Sequence, residues 1–180
     1  RVPEPYGCFD GVLLMELMTD EEGSVAPRLN DVSLTAEQAK EDHTLVMQNV
    51  MRMLSVGIVH GDLSEFNVLV DECGPIIIDL PQAVDAAGNN NAHAMLTRDV
   101  DNMTNYYGQF APELLETQYA KEIWAMYEEG NMDPDFELTG KFEESNESAD
   151  VDSVIAEIKA AMVEEEERLE RIRDAEEIDE

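Results

Sequence analysis

One short stretch of the chain holds the residue types that can move a phosphoryl group. It reads "IVHGDLSEFNVLVDECGPIIID", from Ile58 to Asp79, and sets His60, Asp62, Asn67 and Asp79 in order. A polar loop carrying Asp62 and Asn67 leads into one apolar run, and Asp79 closes the next. If the two runs form a hairpin, their ends lie side by side and Asn67 and Asp79 can face one cavity. An amide and a carboxylate are hard oxygen ligands that suit Mg²⁺, with substrate phosphates completing the octahedron. Asp62 then stands apart, to orient or deprotonate a hydroxyl, which is the division of labour that phosphoryl transfer requires. Plainer roles stand beside each of these: Asp62 capping a turn, Asn67 fixing a bend, His60 filling a core position.

The elements that must position these residues can be read from periodicity and end signals. "GVLLMELM", Gly11 to Met18, is a short apolar run bounded by Gly and a polar loop, and it reads as a buried strand. Thr35 with Gln38 forms a capping box, and Val46, Met47, Val50, Met51 and Leu54 make one apolar stripe that Gly57 ends. "FNVLV" and "PIIID" around "DECG" read as a hairpin. "AAGNNNAHA" reads as a polar loop. Arg98 to about Phe110 and Pro112 to about Glu129 read as two helices, with Val100, Met103, Tyr107, Leu115, Ile123 and Met126 facing inward. Residues 131–150 read as a linker. Residues 151–180 read as an acidic helix, whose apolar seam of Val151, Ile155, Ile158, Met162, Leu169 and Ile172 is interrupted at Glu165.

Bulk properties narrow the function classes. The chain has 180 residues, is 43% hydrophobic and carries a formal net charge of -31. Phosphate backbones are repelled by such a surface, so direct nucleic-acid contact is not expected. The acid is spread along the chain, with 19 acidic and 5 basic residues from Asp133 to Glu180 and 23 and 6 before them. An acidic surface suited to a salty cytoplasm and an acidic tail that docks a partner both fit this distribution. Two cysteines, Cys8 and Cys73, suggest neither a disulfide framework nor a zinc site. No apolar run reaches membrane-spanning length and no signal peptide is visible, so a cytoplasmic protein is expected.

The wording around the polar loop is more specific than its spacing. "VHGDLSEFNVLV", "IIIDLPQAVD", "AHAMLTRDV" and "LLMELM…APRL" together resemble the RIO family of atypical protein kinases, over roughly Gly11 to Tyr107. The departures from ordinary kinases match too. Gly61 stands where most kinases carry Arg, Ser64 where serine/threonine kinases carry Lys, and "DLP" replaces D-F-G. The likeness is nearest to the bacterial or archaeal members related to the first RIO type. It implies an α+β fold, the C-terminal lobe of a protein-kinase-like domain, mainly helical with a small β-hairpin at the catalytic loop. It also implies an ATP- and Mg²⁺-dependent serine protein kinase or ATPase. On this resemblance Asp62 is the catalytic base and Asn67 and Asp79 are metal ligands. Asp79 is also the carboxylate phosphorylated transiently in an aspartyl-phosphate cycle. Met15 matches the gatekeeper, Glu16 and Met18 the hinge that meets adenine through backbone groups, and His60 a loop support. A protein substrate of unknown identity and a link of the parent protein to ribosomal particles are implied as well.

Parts of a complete kinase are not found in the sequence. There is no Gly-rich loop, and Lys40, Lys121, Lys141 and Lys159 all lie downstream of the hinge and none matches the strand Lys. Residues 1–130 are therefore expected to be a lobe that begins at the hinge strand, without an N-terminal lobe in this chain, and inactive alone. The alternative is a non-catalytic kinase-like binding module with an acidic docking tail. A metal-dependent phosphodiesterase is less well served by three scattered histidines.

Overall fold

A computed structural model of the chain describes residues 1–20, 22–134 and 136–142, and the expected C-terminal helix of residues 151–180 lies outside the described residues. The described part is α+β, with three helices and three small antiparallel ladders. The first helix, α1 (Ala36–Ser55), starts where the sequence says it should. Thr35 Oγ1 accepts from the Gln38 N–H, and Gln38 Oε1 accepts from the Thr35 N–H, which satisfies two of the orphan amides at the helix start. Its end is set by Gly57, whose φ of 79° is a left-handed conformation that glycine adopts without a Cβ penalty. Val46, Met47, Val50, Met51 and Leu54 are all buried in the core.

The strands form two nested ladders around the polar loop. β3 (Ile58–Val59) pairs with β6 (Val84–Asp85), and between them β4 (Val68–Asp71) pairs with β5 (Gly74–Ile77) around a turn at Glu72 and Cys73. The outer ladder fixes the two ends of the segment and the inner ladder folds its middle. Residues 60–67 and residues 78–83 are thereby laid side by side, as the hairpin reading expects.

α2 (Ala92–Tyr107) packs between α1 and α3 (Tyr119–Glu128). Leu96, Val100, Met103 and Tyr107 of α2 and Ile123 of α3 are buried against α1 and the ladders. Among the described residues, no helix is long and apolar enough to cross a membrane.

Three expectations from the sequence are corrected. The run Gly11–Met18 is not a buried strand. β2 (Val12–Met15) pairs only with β1 (Pro5–Phe9), and Val12, Leu13 and Leu14 are 68%, 57% and 54% exposed, with burial reached only at Met18. An apolar run signals a strand, but what covers that strand is a matter of tertiary packing. The second helix begins at Ala92 and not at Arg98, because the last part of "AAGNNNAHA" already turns helically. The expected helix from Pro112 is broken in two: a 3-10 turn (Pro112–Glu116) ends at extended Thr117, and α3 begins after Gln118. The Gln118 N–H is taken by the Gly140 carbonyl at 2.8 Å, and Glu122 accepts from the Thr139 and Gly140 amides, so the returning chain dictates the break. The break also turns Leu115 outward, 52% exposed, and Leu114 is the buried residue of the pair.

Candidate active site

The residues of the polar loop follow β3 and are held from three sides. His60 is buried, and its Nδ1 accepts from the Asp62 N–H at 3.3 Å while its Nε2 lies 3.0 Å from the Ile78 carbonyl. The first contact needs a bare Nδ1 and the second a protonated Nε2, so the two together specify the neutral Nε2–H tautomer. His60 thus ties the start of the loop to the end of β5, a supporting role.

The inner ladder continues one step past its named ends. The Ile78 N–H donates to the Asn67 carbonyl at 3.0 Å, which sets Asn67 opposite the residue before Asp79. The Asn67 side-chain amide donates to the Asp62 carbonyl at 2.8 Å. Asn67 Nδ2 is therefore committed inward, and Oδ1 is the atom left as a ligand oxygen. Asp79 is exposed, with φ of 68°. This left-handed conformation is uncommon outside glycine, and Asp is among the residues that tolerate it. Both polar groups of Ile78 are bound, its N–H by Asn67 and its carbonyl by His60, so the direction of the chain is fixed up to residue 78 and turns at Asp79. Three residues later the Gln82 side-chain amide donates to Asp62 Oδ2 at 3.1 Å. Asp62, Asn67 and Asp79 are in this way gathered by bonds from Asn67 to Asp62, from Ile78 to Asn67 and from Gln82 to Asp62.

The third side is α2. Asp99 is only 1% exposed, and its two carboxylate oxygens accept from the Gly61 N–H at 2.7 Å and the Leu63 N–H at 3.0 Å. The Arg98 guanidinium donates to the Gly61 carbonyl, and the Asn102 amide donates to the Leu63 carbonyl at 3.1 Å. Arg98, Asp99 and Asn102 lie on one helical face. Burial pushes the Asp99 carboxyl upward from its ordinary range, against the pull of the two amides and of the Arg98 charge. None of these three was assigned a role from the sequence. A readable signal exists: Asp99 interrupts the apolar stripe Leu96, Val100, Met103, and a charged residue on a buried face needs partners.

The residues expected to form the hinge come early in the chain and reach β5. Met15 ends β2 and is 46% exposed. The Glu16 N–H donates to the Glu4 carbonyl at 2.8 Å, and the buried Met18 accepts through its carbonyl from the Ala26 N–H at 3.0 Å. Met18 packs with Ala26 and Ile76, so the hinge rests on β5, the strand that leads to Asp79. The adenine-binding role of Met15, Glu16 and Met18 stays an expectation at this point.

The donor set at Asn67 and Asp79 fits a hard divalent cation. Both side chains offer oxygen, and the left-handed turn at Asp79 leaves its carboxylate in solvent. Among the described residues, no group of three or more His, Cys, Asp or Glu is placed to hold a metal ion by itself. Two protein oxygens would leave the remaining positions to phosphate oxygens and water, the usual way Mg²⁺ is held.

Comparison with known proteins follows the same lines. Residues 1–121 match the model of the RIO domain. The chain is 36% identical over 107 residues to the RIO-type serine/threonine-protein kinase Rio1 of Haloferax volcanii, covering 59% of this chain and 36% of that protein. It is 35% identical over 113 residues to the RIO-type serine/threonine-protein kinase Rio2 of Methanocaldococcus jannaschii, covering 61% of this chain and 40% of that protein. The chain thus spans well under half the length of these curated relatives. Among solved structures, the Rio2 kinase–ADP/Mg²⁺–phosphoaspartate complex from Chaetomium thermophilum is similar with a TM-score of 0.50 and 28% identity, over 60% of this chain and 33% of that one.

Proposed function

This chain belongs to the RIO domain family, and from that premise we propose that it supplies the phosphoryl-transfer lobe of an ATP- and Mg²⁺-dependent serine/threonine protein kinase. The observation that carries the reading is the set of bonds from Asn67 to Asp62, from Ile78 to Asn67 and from Gln82 to Asp62, which brings a candidate base and two candidate oxygen ligands onto adjoining segments. The Rio2 neighbour in complex with ADP and Mg²⁺ supports the choice of nucleotide and metal.

In this reading the acceptor serine hydroxyl forms a bond to the γ-phosphorus as the bond from that phosphorus to the β,γ-bridging oxygen breaks. Asp62 takes the hydroxyl proton, and ADP leaves. Asn67 Oδ1 and the Asp79 carboxylate would hold Mg²⁺, which neutralises and orients the phosphates when bound. Asn67 has a double duty, since its Nδ2 also holds the Asp62 backbone. Met15, Glu16 and Met18 would meet the adenine. His60, Arg98, Asp99 and Asn102 keep the loop in place.

A second reaction is supported by the phosphoaspartate of the Rio2 complex. The exposed Asp79 carboxylate would attack the γ-phosphorus and release ADP. Water would then cleave the acyl phosphate, restoring the carboxylate and freeing inorganic phosphate. Reduction of the acyl phosphate by borohydride would mark the residue that carried it.

The test of the main reading is Asp62→Asn in the full-length protein. Mg-ATP binding by calorimetry should persist, and transfer of labelled phosphate should fall by roughly 10²–10⁴-fold, the usual contribution of a positioned base. Unchanged transfer would sink the assignment of Asp62.

A further inference from the structure

Gln82 lies in the turn between Asp79 and β6, and the reading above uses its bond to Asp62 without giving the residue a role in the reaction. Its side-chain amide donates to Asp62 Oδ2 at 3.1 Å. A carboxylate free to rotate presents either oxygen to a substrate, whereas one bonded through Oδ2 keeps Oδ1 for the incoming hydroxyl. Gln82 is itself seated from behind. Its backbone carbonyl lies 2.8 Å from the point where a Cβ on Gly61 would sit, and Gly61 has φ of +81°. The main chain of residue 82 thus rests on residue 61 at a separation that only glycine permits, while its side chain reaches residue 62. Glycine at position 61 thus lets the backbone of residue 82 come close, and the side-chain amide at position 82 then meets Asp62.

From this juxtaposition we propose that Gln82 is a positioning residue for phosphoryl transfer: it fixes the Asp62 carboxylate through Oδ2 and couples the base to the loop that carries Asp79. The inference rests on the phosphoryl-transfer reading of the site. An amide suits the task because it donates a hydrogen bond without a charge of its own. An apolar side chain of the same reach leaves Oδ2 unheld, and a carboxylate there repels it. Small errors in the placement of a reacting group are costly in rate, which makes one such bond matter.

The experiment compares Gln82→Leu, Gln82→Glu, Asp62→Asn and the double variant Gln82→Leu/Asp62→Asn in the full-length protein. Transfer of labelled phosphate from Mg-ATP to serine gives kcat and KM separately, and thermal melting reports the fold. Gln82 is exposed, so the single variants are expected to melt as the parent does. Gln82→Leu and Gln82→Glu should each lower kcat about tenfold, the size of one hydrogen bond to a charged group, with KM for ATP unchanged. In the Asp62→Asn background, Gln82→Leu should cost nothing further, because its effect passes through the carboxylate already removed. A wild-type kcat in Gln82→Leu overturns the inference, and so does an equal loss in both backgrounds or a fall in melting temperature that accounts for the lost rate. If Asp62→Asn itself keeps full turnover, the phosphoryl-transfer reading of Asp62 fails first and takes the inference with it. If Asp62→Asn is inactive and Gln82→Leu is not, the role of Gln82 alone is refuted.

Discussion

Replacing Asp99 by Leu should loosen the loop that carries Asp62 and destabilise the fold together. The carboxylate accepts two backbone N–H groups, from Gly61 at 2.7 Å and Leu63 at 3.0 Å, at a position 1% exposed. Leu fills a similar volume, so no large cavity opens, but both amides lose their acceptor inside the protein. A buried donor left unpaired costs about 1–3 kcal/mol, which gives about 2–6 kcal/mol for the pair. Against this stands the burial of Asp99 itself, which already strains its charged form and pushes its carboxyl upward. Removing that penalty returns part of the loss, so a net destabilisation of about 2–4 kcal/mol is expected. Urea unfolding of the chain, followed by circular dichroism with the slope held common, measures it directly. Asp62 sits between the two released amides, so phosphate transfer by the full-length variant should also fall, by about 10²-fold if the loop shifts by about an ångström. A variant that unfolds within about 0.5 kcal/mol of the parent, the range of ordinary surface changes, would refute the idea that α2 holds the loop through these bonds.

Two further outcomes follow from the geometry. On the proposed reading Asp79→Ala would remove a charged ligand and Asp62→Asn only a proton acceptor, so the first should weaken Mg-ATP binding more, and calorimetry of the two variants side by side decides it. His43 is buried in α1 against Tyr107 and Tyr119, and burial lowers its pKa from 6.5 to about 4. The folded state holds fewer protons than the unfolded state between these values, so stability should fall as pH drops through that window, by up to about 3 kcal/mol, and the fall should vanish in His43→Gln once other groups are matched.

How much of this could be read from the sequence depends on whether the signal is local. The capping box at Thr35, the stop at Gly57 and the hairpin around Glu72 and Cys73 are each decided within a few residues, and each stands in the structure as expected. The RIO likeness likewise rests on local wording and agrees with the family match. What was missed is set by distant chain. Thr117 breaks a stretch of good helix formers because the Gly140 carbonyl takes the Gln118 N–H, while Glu122 holds the returning chain through the Thr139 and Gly140 amides. The apolar β2 is exposed because no third layer of described residues lies over it. Gln82 and Asp99 matter through partners 20 and 36 to 38 residues away, which no window of the sequence brings into view.

The nesting of the two ladders has a kinetic meaning. The bonds from Asn67 to Asp62, from Ile78 to Asn67 and from Gln82 to Asp62 lie inside the segment closed by the pairing of Val59 with Val84, so this part of the site closes over a short loop of chain, to which α2 adds its bonds at Gly61 and Leu63. Short closures cost little entropy and form early, whereas sites assembled from remote segments wait for the whole topology. The amides of β4, β5 and the Asn67–Ile78 step should then exchange with solvent as one cooperative unit. The segment that carries Asp62 and the segment that carries Asp79 are then expected to open together.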